Sequence, residues 1–359
     1  MWKQSTSPHP KTQWHSRLPD IVVPYIQLMR LDRPNGYWYF WYPHALGTIW
    51  AAIQQRSSPQ DLLLVNLILF WGVLVMRGAT CTWNDTVDVD FDRKVSRCRN
   101  RPLARGAISI MQANVFTAAQ TLASLATLAL LPPLCTIYVA PAVIGWFCYP
   151  LAKRITYYPQ VVLGFPMAWG VYVGAASMGM DPLYFAPLLR ALMALVRRES
   201  AETPGLSLIL EALKEVRVNW PITALYAANM IWTLLYELVY SHQDAAEDAA
   251  AGVKNLVLLY AKPDAATPQE RFGTMPLLRR LAVIQVLFLA TAGTLGGLGF
   301  AYSAVSLAGT AAALATMLSR VRLEEPESCA WWFKVGNSKY AGTAMVVGLA
   351  AEYVGRAFL

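Results

Sequence analysis

Residues 62–80 read LLLVNLILFWGVLVMRGAT, an apolar run containing one cation and no acid. That is close to the roughly 20 apolar residues a helix needs to cross a bilayer. Comparable runs recur near 36–55, 110–131, 134–152, 160–179, 221–242, 281–300, 302–319 and 340–358. A backbone inside hydrocarbon must satisfy its own N–H and C=O groups. The chain is therefore expected to be all-α, a multi-pass membrane protein of about nine transmembrane helices. Gly and Pro inside several runs are tolerated there because neighbouring helices re-satisfy the backbone. A mean hydropathy of +0.35 with 13 Trp and 17 Tyr fits a lipid-facing body with aromatic interface belts.

Charge tests this count. Of 30 Lys and Arg residues, 23 fall on one side of the nine spans: five in the N-terminal tail, seven in 77–105, Lys153 and Arg154, five in 243–280 and four in 320–339. The other side holds seven. Short cytosolic loops carry the excess of Lys and Arg, so the N-terminus and the 77–105 loop are expected in the cytosol. The net charge of +8 sits between apolar spans, which points to the lipid bilayer and not to nucleic acid. Cys81, Cys98, Cys135, Cys148 and Cys329 show no C-x-x-C spacing, and the four histidines form no ligand pattern. No obligate protein partner is inferred.

Two segments stand apart. Residues 1–24 are expected to be a disordered cytosolic tail; MWKQSTSPHPKTQWHSRLP has no acid and is faintly transit-like, but Pro8 and Pro10 interrupt it. Residues 182–219 form a long connection on the side that should be poor in basic residues. The periodicity of LSLILEALKEV suits an amphipathic interfacial helix, and an unspliced or misannotated insertion is the other reading. The remainder, 25–359, reads as one transmembrane domain with 182–219 as an atypical insertion.

The acids are the informative polar residues. NDTVDVDFDRK, residues 84–94, crowds four aspartates at the end of an apolar helix. At about 100° per residue, Asn84, Asp88, Asp92 and Asp85 share a face about 100° wide, while Asp90 falls on the far side. Three carboxylates and an amide are hard oxygen ligands suited to Mg²⁺. A second cluster, YELVYSHQDAAEDAAAGVKN, places Asp244 and Asp248 at i, i+4, with Tyr240 one turn earlier and Glu247 about 100° away as a solvated flank. One such run alone is more often a solvated surface. Two in helical register, each closing an apolar helix on the same side, point to a metal site around a central cavity, and its ions would hold a diphosphate. Arg33, Arg77, Arg101, Lys153, Arg154 and Lys254 lie on that side and can contact diphosphate oxygens, or they satisfy only the positive-inside rule.

These motifs resemble those of the UbiA superfamily of intramembrane aromatic prenyltransferases. N-D-x-x-D-x-x-x-D is matched by Asn84, Asp85, Asp88 and Asp92, and D-x-x-x-D by Asp244 and Asp248. YIQLMRLDRPNG, RNRPLARGAIS and YPLAKRITYYPQVVLG resemble the 4-hydroxybenzoate polyprenyltransferase branch. The resemblance covers roughly residues 25–180 and 221–260 and departs at 182–219, where that family's connection is short. It implies Mg²⁺-dependent transfer of an isoprenyl group from its diphosphate to an electron-rich aromatic acceptor. Asp85, Asp88 or Asp92 would anchor one ion, Asp244 and Asp248 another, with Asn84 adding a neutral oxygen or orienting a neighbour. Arg154 is expected at an acceptor carboxylate and Lys153 at the diphosphate, or the two reversed. Tyr240 and Tyr149 would face a carbocation, or serve as packing residues. The 30–36 stretch shapes the acceptor side, or anchors the helix start at the interface.

LDRPNGYWYFWYPHALGTIW resembles fungal meroterpenoid members, which implies a farnesyl donor, a polyketide-derived phenolic acid and an endomembrane such as the endoplasmic reticulum. The alternative is ubiquinone biosynthesis at the mitochondrial inner membrane. A cation transporter would put acids in mid-span, where Glu237 is the main example; a terpene cyclase would use no aromatic acceptor.

Overall fold

The structure is a computed structural model that describes residues 17–197, 205–260 and 273–358. Most of the expected tail, and Lys262 and Arg271 of the 243–280 loop, lie outside the described residues. Among the described residues all regular structure is helical and there is no strand. Six helices are long and apolar enough to cross a membrane: Pro59–Val87, Ile110–Leu130, Leu134–Ile155, Trp220–Ser241, Met275–Leu295 and Tyr302–Arg320.

The other three expected spans are helical but do not meet that measure, so a count of nine is not established. Tyr37–Gln55 opens with Tyr, Trp, Pro and His, which lowers its hydropathy, yet 14 of its 19 residues are buried. A helix enclosed by protein needs no apolar exterior. The expected 160–179 span is divided at Trp169 into Pro159–Ala168 and Gly170–Ser177, three residues after Pro166. The last is a wide-turn π segment, Trp332–Gly342, running into Thr343–Phe358.

Local chemistry sets the helix ends. Ser58 caps the Pro59–Val87 helix by accepting from Asp61 N–H at 3.1 Å, with Pro59 in the first turn. Ser109 and Gln112 form a reciprocal capping box before Ile110–Ala126. Between spans, packing rather than the hydrophobic effect holds helices together, because lipid tails are as apolar as leucine. Small residues serve that end. A Cβ on Gly47 would strike the backbone of Val171, and one on Gly174 the backbone of His44, so these glycines let Tyr37–Gln55 and Gly170–Ser177 cross backbone to backbone. Leu63, Leu67, Trp71, Val115, Leu122, Ile144 and Leu287 are exposed on outer faces, where lipid would cover them.

Within 182–219, the described residues 182–197 and 205–219 carry two amphipathic helices, Ala186–Arg197 and Gly205–Lys214. Leu192, Met193 and Val196 stay exposed on one, and Leu206, Leu210 and Leu213 on the other. The ends return to one another: Arg217 N–H donates to Leu183 O at 3.3 Å and Asn219 N–H to Pro182 O at 3.2 Å. Asp181 fixes the exit by accepting from Tyr138 Oη at 2.6 Å and from the Phe185 and Ala186 N–H groups at 2.8 Å. Tyr138 lies near the start of the helix whose other end carries Lys153, so the excursion is at the end away from the acids. Replacing residues 187–214 with a short linker is accordingly expected to leave the activity of the acidic end intact, at a cost of ~1 kcal/mol or less. Product formation and the thermal midpoint of the deletion variant check this.

Candidate active site

Pro59–Val87 ends in the first acidic cluster. The helix does not run straight through it: Asp88 leaves helical geometry (φ −90°, ψ 6°) and a short helix, Val89–Asp92, follows. The register holds for Asn84, Asp88 and Asp92, which line a cavity of about 830 Å³. Asp90 is 78% exposed and meets only Arg93, at 3.3 Å. Asp85, at the edge of the expected face, is fully buried and does not line the cavity. Its Oδ1 accepts from Arg30 at 2.6 Å and Arg101 at 3.0 Å. Asp85 thus aims two arginines, which do line the cavity, from behind the wall.

The second cluster enters from the opposite wall. Asp244 stands at the N-terminus of Ala245–Ala251, Asp248 lies one turn on, and both line the cavity. The two acidic segments are tied across the mouth. Ser96 donates through its N–H at 2.7 Å and its hydroxyl at 2.6 Å to Glu247, which is exposed as its register suggests and also serves as a tether. Arg97 grips Asp244 through Nε at 2.9 and 2.8 Å and through a second nitrogen, and its guanidinium lies 5.0 Å from the Tyr240 ring centre. Arg97 is a site residue the sequence reading missed. It sits in the basic run RKVSRCRN, where its neighbours share its charge and conceal its role.

The site acids are paired. Arg101 donates to Asp92 at 2.8 and 3.0 Å, and Lys153 to Asp88 Oδ2 at 2.6 Å. Asn255 donates to Asp248 at 3.0 Å. Burial raises the Asp92 carboxyl above its usual range; Arg101 opposes this, and Asp85 and Asp88 add to it. Burial, with Asp244 alongside, pushes the Asp248 carboxyl up to about 6. Among the described residues no three Asp, Glu, His or Cys groups stand close enough to share one metal ion. Several oxygens nevertheless remain buried without a hydrogen bond: Asn84 Oδ1, Asp85 Oδ2 and Asp88 Oδ1.

The expected cations divide. Arg33 is at the mouth, 62% exposed and 3.4 Å from Asp32. Lys254 lines the cavity while its ammonium donates to Ile155 O at 3.3 Å. Arg154 turns out of the cavity: it is exposed, donates to Val87 O at 2.5 Å and lies 5.2 Å from the Phe91 ring centre. In this geometry Lys153, and not Arg154, faces the reacting space. Arg77 lines the cavity but acts on backbone, donating to Arg30 O at 3.1 Å and Arg33 O at 3.0 Å. This clamp holds Arg30 in the left-handed region at φ 58°, a conformation that costs a non-glycine residue energy. Arg77→Ala is expected to cost about 1–3 kcal/mol, because it leaves two part-buried carbonyls without their donor and releases that turn. Thermal unfolding in detergent measures it.

Beneath the charged layer lie Tyr39, Phe40, Trp146, Tyr149, Met167, Tyr236, Tyr240 and Phe333. Tyr149 lies under Lys153, whose ammonium is 5.2 Å from its ring centre. The faces of Tyr149 and Tyr240 are therefore turned toward the protein's own cations.

Residues 40–339, which include both acidic segments and most of the aromatic pit, match the UbiA prenyltransferase family. The chain belongs to this family. It is a prenyltransferase and an integral membrane protein. Its relatives include the mitochondrial 4-hydroxybenzoate polyprenyltransferase of Saccharomyces cerevisiae, 30% identical over 96% of this chain and 80% of that one. The polyprenyl transferase ausN of Emericella nidulans is 34% identical over 84% of this chain and 78% of its own. In fold this UbiA member resembles a UbiA homolog from Archaeoglobus fulgidus solved with GPP and Mg²⁺, at a TM-score of 0.62 and 17% identity over 92% of this chain and 99% of that one.

Proposed function

We propose that the protein transfers an isoprenyl group, farnesyl by preference, from its diphosphate to a ring carbon of a phenolic acid in secondary metabolism. The observation that carries this is the layering of the cavity, with paired acids and bases at the mouth over an aromatic floor. A substrate with a diphosphate head and an apolar tail matches that order. The family implies Mg²⁺, and the residues present fit it. Hard oxygens of Asn84 and Asp88 are buried without partners, and the Asp248 carboxyl is held up by burial and by Asp244, both of which a bound cation would offset. Asn84, Asp88 and Asp92 would hold it on one side and Asp244 and Asp248 on the other, where it supplies Lewis-acid neutralisation of the leaving diphosphate.

The chain's own residues do the rest. Lys153, Arg101 and Arg97 are within reach of diphosphate oxygens and complement charge that grows as the C–O bond breaks. The aromatic floor keeps water from the allylic cation and offers ring faces to it. Asp85 and Arg77 act at one remove, by fixing Arg30 and Arg101. The apolar tail runs toward lipid between helices, which accounts for placing this chemistry in a membrane.

Similarity to the ausN protein supports the secondary-metabolic reading; with it we place the protein in an endomembrane, the basic loops and the site toward the cytosol. A second reading, 4-hydroxybenzoate prenylation in the mitochondrial inner membrane, is supported by the yeast relative. Mass spectrometry after feeding a panel of phenolic acids with ten-, fifteen- and longer-chain prenyl diphosphates separates them. A fifteen-carbon adduct of a substituted phenolic acid supports the first; long-chain products on 4-hydroxybenzoate alone overturn it. Prenyl hydrocarbons formed without any acceptor would indicate a cyclase.

A further inference from the structure

We propose that Glu237 is the base that takes the ring proton from the aromatic acceptor. The inference rests on the reading above and goes beyond it, because neither N-D-x-x-D-x-x-x-D nor D-x-x-x-D includes this residue. Glu237 lies in the Trp220–Ser241 helix, lines the cavity and sits seven residues before Asp244. That helix ends at Ser241, one turn after Glu237, and Asp244 follows in the turn beyond it, so Glu237 lies on the bundle side of the second acidic cluster. Tyr39, Tyr149 and Tyr236 are within electrostatic reach of its carboxylate, as are Lys153 and Arg97.

Elimination singles it out. The other carboxylates that line the cavity already have partners: Asp32 an arginine at 3.4 Å, Asp88 a lysine at 2.6 Å, Asp92 an arginine at 2.8 Å, Asp244 Arg97, and Asp248 an amide at 3.0 Å. Carboxylates held in ion pairs, or on a cation, are poor proton acceptors. Glu237 has no side-chain hydrogen bond or ion pair to another described residue, and it is the cavity acid placed at the level of the aromatic floor. An ionised group at that depth is costly and marks function when it persists.

The step balances. The allylic C–O bond breaks with its electron pair leaving on diphosphate, and the ring carbon forms the new C–C bond. The arenium's C–H bond then breaks, its electrons restoring the aromatic ring and its proton passing to the Glu237 carboxylate. A base next to that carbon is needed because the cavity that protects the cation also excludes water.

The test uses the full-length protein, farnesyl diphosphate, and ring-deuterated 4-hydroxybenzoate or whichever panel acid the wild type prenylates best. Glu237→Gln preserves shape and removes the base. Expected are a kcat lowered by about 10²–10⁴-fold, little change in KM for farnesyl diphosphate, and a primary isotope effect on the deuterated acceptor that the wild type lacks. Glu237→Asp restores part of the rate and removes the isotope effect. Near-wild-type turnover in Glu237→Gln, or a loss of rate without an isotope effect, overturns the proposal and points to the departing diphosphate as base or to a packing role. A wild type that prenylates no panel acid fails at the earlier step and refutes the functional reading instead.

Discussion

Asparagine at Asp88 or Asp248 is expected to lower prenyl transfer in microsomes by at least about 10³-fold. Loss of one preorganised hydrogen-bond donor at a developing charge costs about 10²–10³ in kcat, and here a full charge at a proposed cation site is removed. The two variants separate catalysis from folding. Asp248→Asn keeps a side-chain oxygen for Asn255, so its thermal midpoint should match the wild type. Asp88→Asn leaves the Lys153 ammonium without its carboxylate and should lose stability as well as rate. Excess chelator should abolish wild-type turnover and added Mg²⁺ restore it. Normal turnover in Asp248→Asn, or in chelator, would remove the metal site from the account.

The second large effect is structural. Arg101→Ala is expected to cost about 3–5 kcal/mol, the usual result of removing one member of a buried ion pair and stranding the other. Arg101 bridges Asp85 and Asp92, whose side chains are 0% and 7% exposed. Arg30 remains to hold Asp85, so the cost falls mainly on Asp92. The double variant Arg101→Met/Asp92→Asn removes the stranded charge and should recover much of the stability while staying inactive. Thermal unfolding and prenyl transfer measured side by side check both halves. Stability unrecovered in the double variant would assign the loss to packing of the arginine stem.

The acids were legible because helical register is a property of spacing. Asn84, Asp88, Asp92, Asp244 and Asp248 reach one cavity, and Asp90 is turned away from it. Spacing does not report the helix break at Asp88, nor that Asp85 would be taken from behind by Arg30 and Arg101. The Arg30 contact joins segments 55 residues apart in sequence. The basic residues were less legible. Positive-inside bias places cations on the correct side without distinguishing Arg97, which grips Asp244, from Arg154, which meets a backbone carbonyl. Glu247 was hidden in another way, since an exposed acid reads as solvated until its partner, Ser96, is known. The span count suffered where aromatic residues line a cavity, because Tyr and Trp lower hydropathy in Tyr37–Gln55, a helix enclosed by protein.

The pairing of acids with bases bears on how substrate arrives. Eight Lys and Arg side chains line the cavity beside six carboxylates, with Asp85 a seventh just behind. So even a balance projects little field beyond the mouth, where salt would screen it within about 8–10 Å in any case. By its own side chains, before any cation binds, the enzyme is poorly equipped to pull an anion out of the water beside the membrane. A prenyl diphosphate already dissolved in the leaflet, diffusing in two dimensions with its head at the interface, would meet the site without such help. Its capture would then be an exchange of counterions, and the rate should vary little with ionic strength but steeply with the surface density of substrate in the membrane.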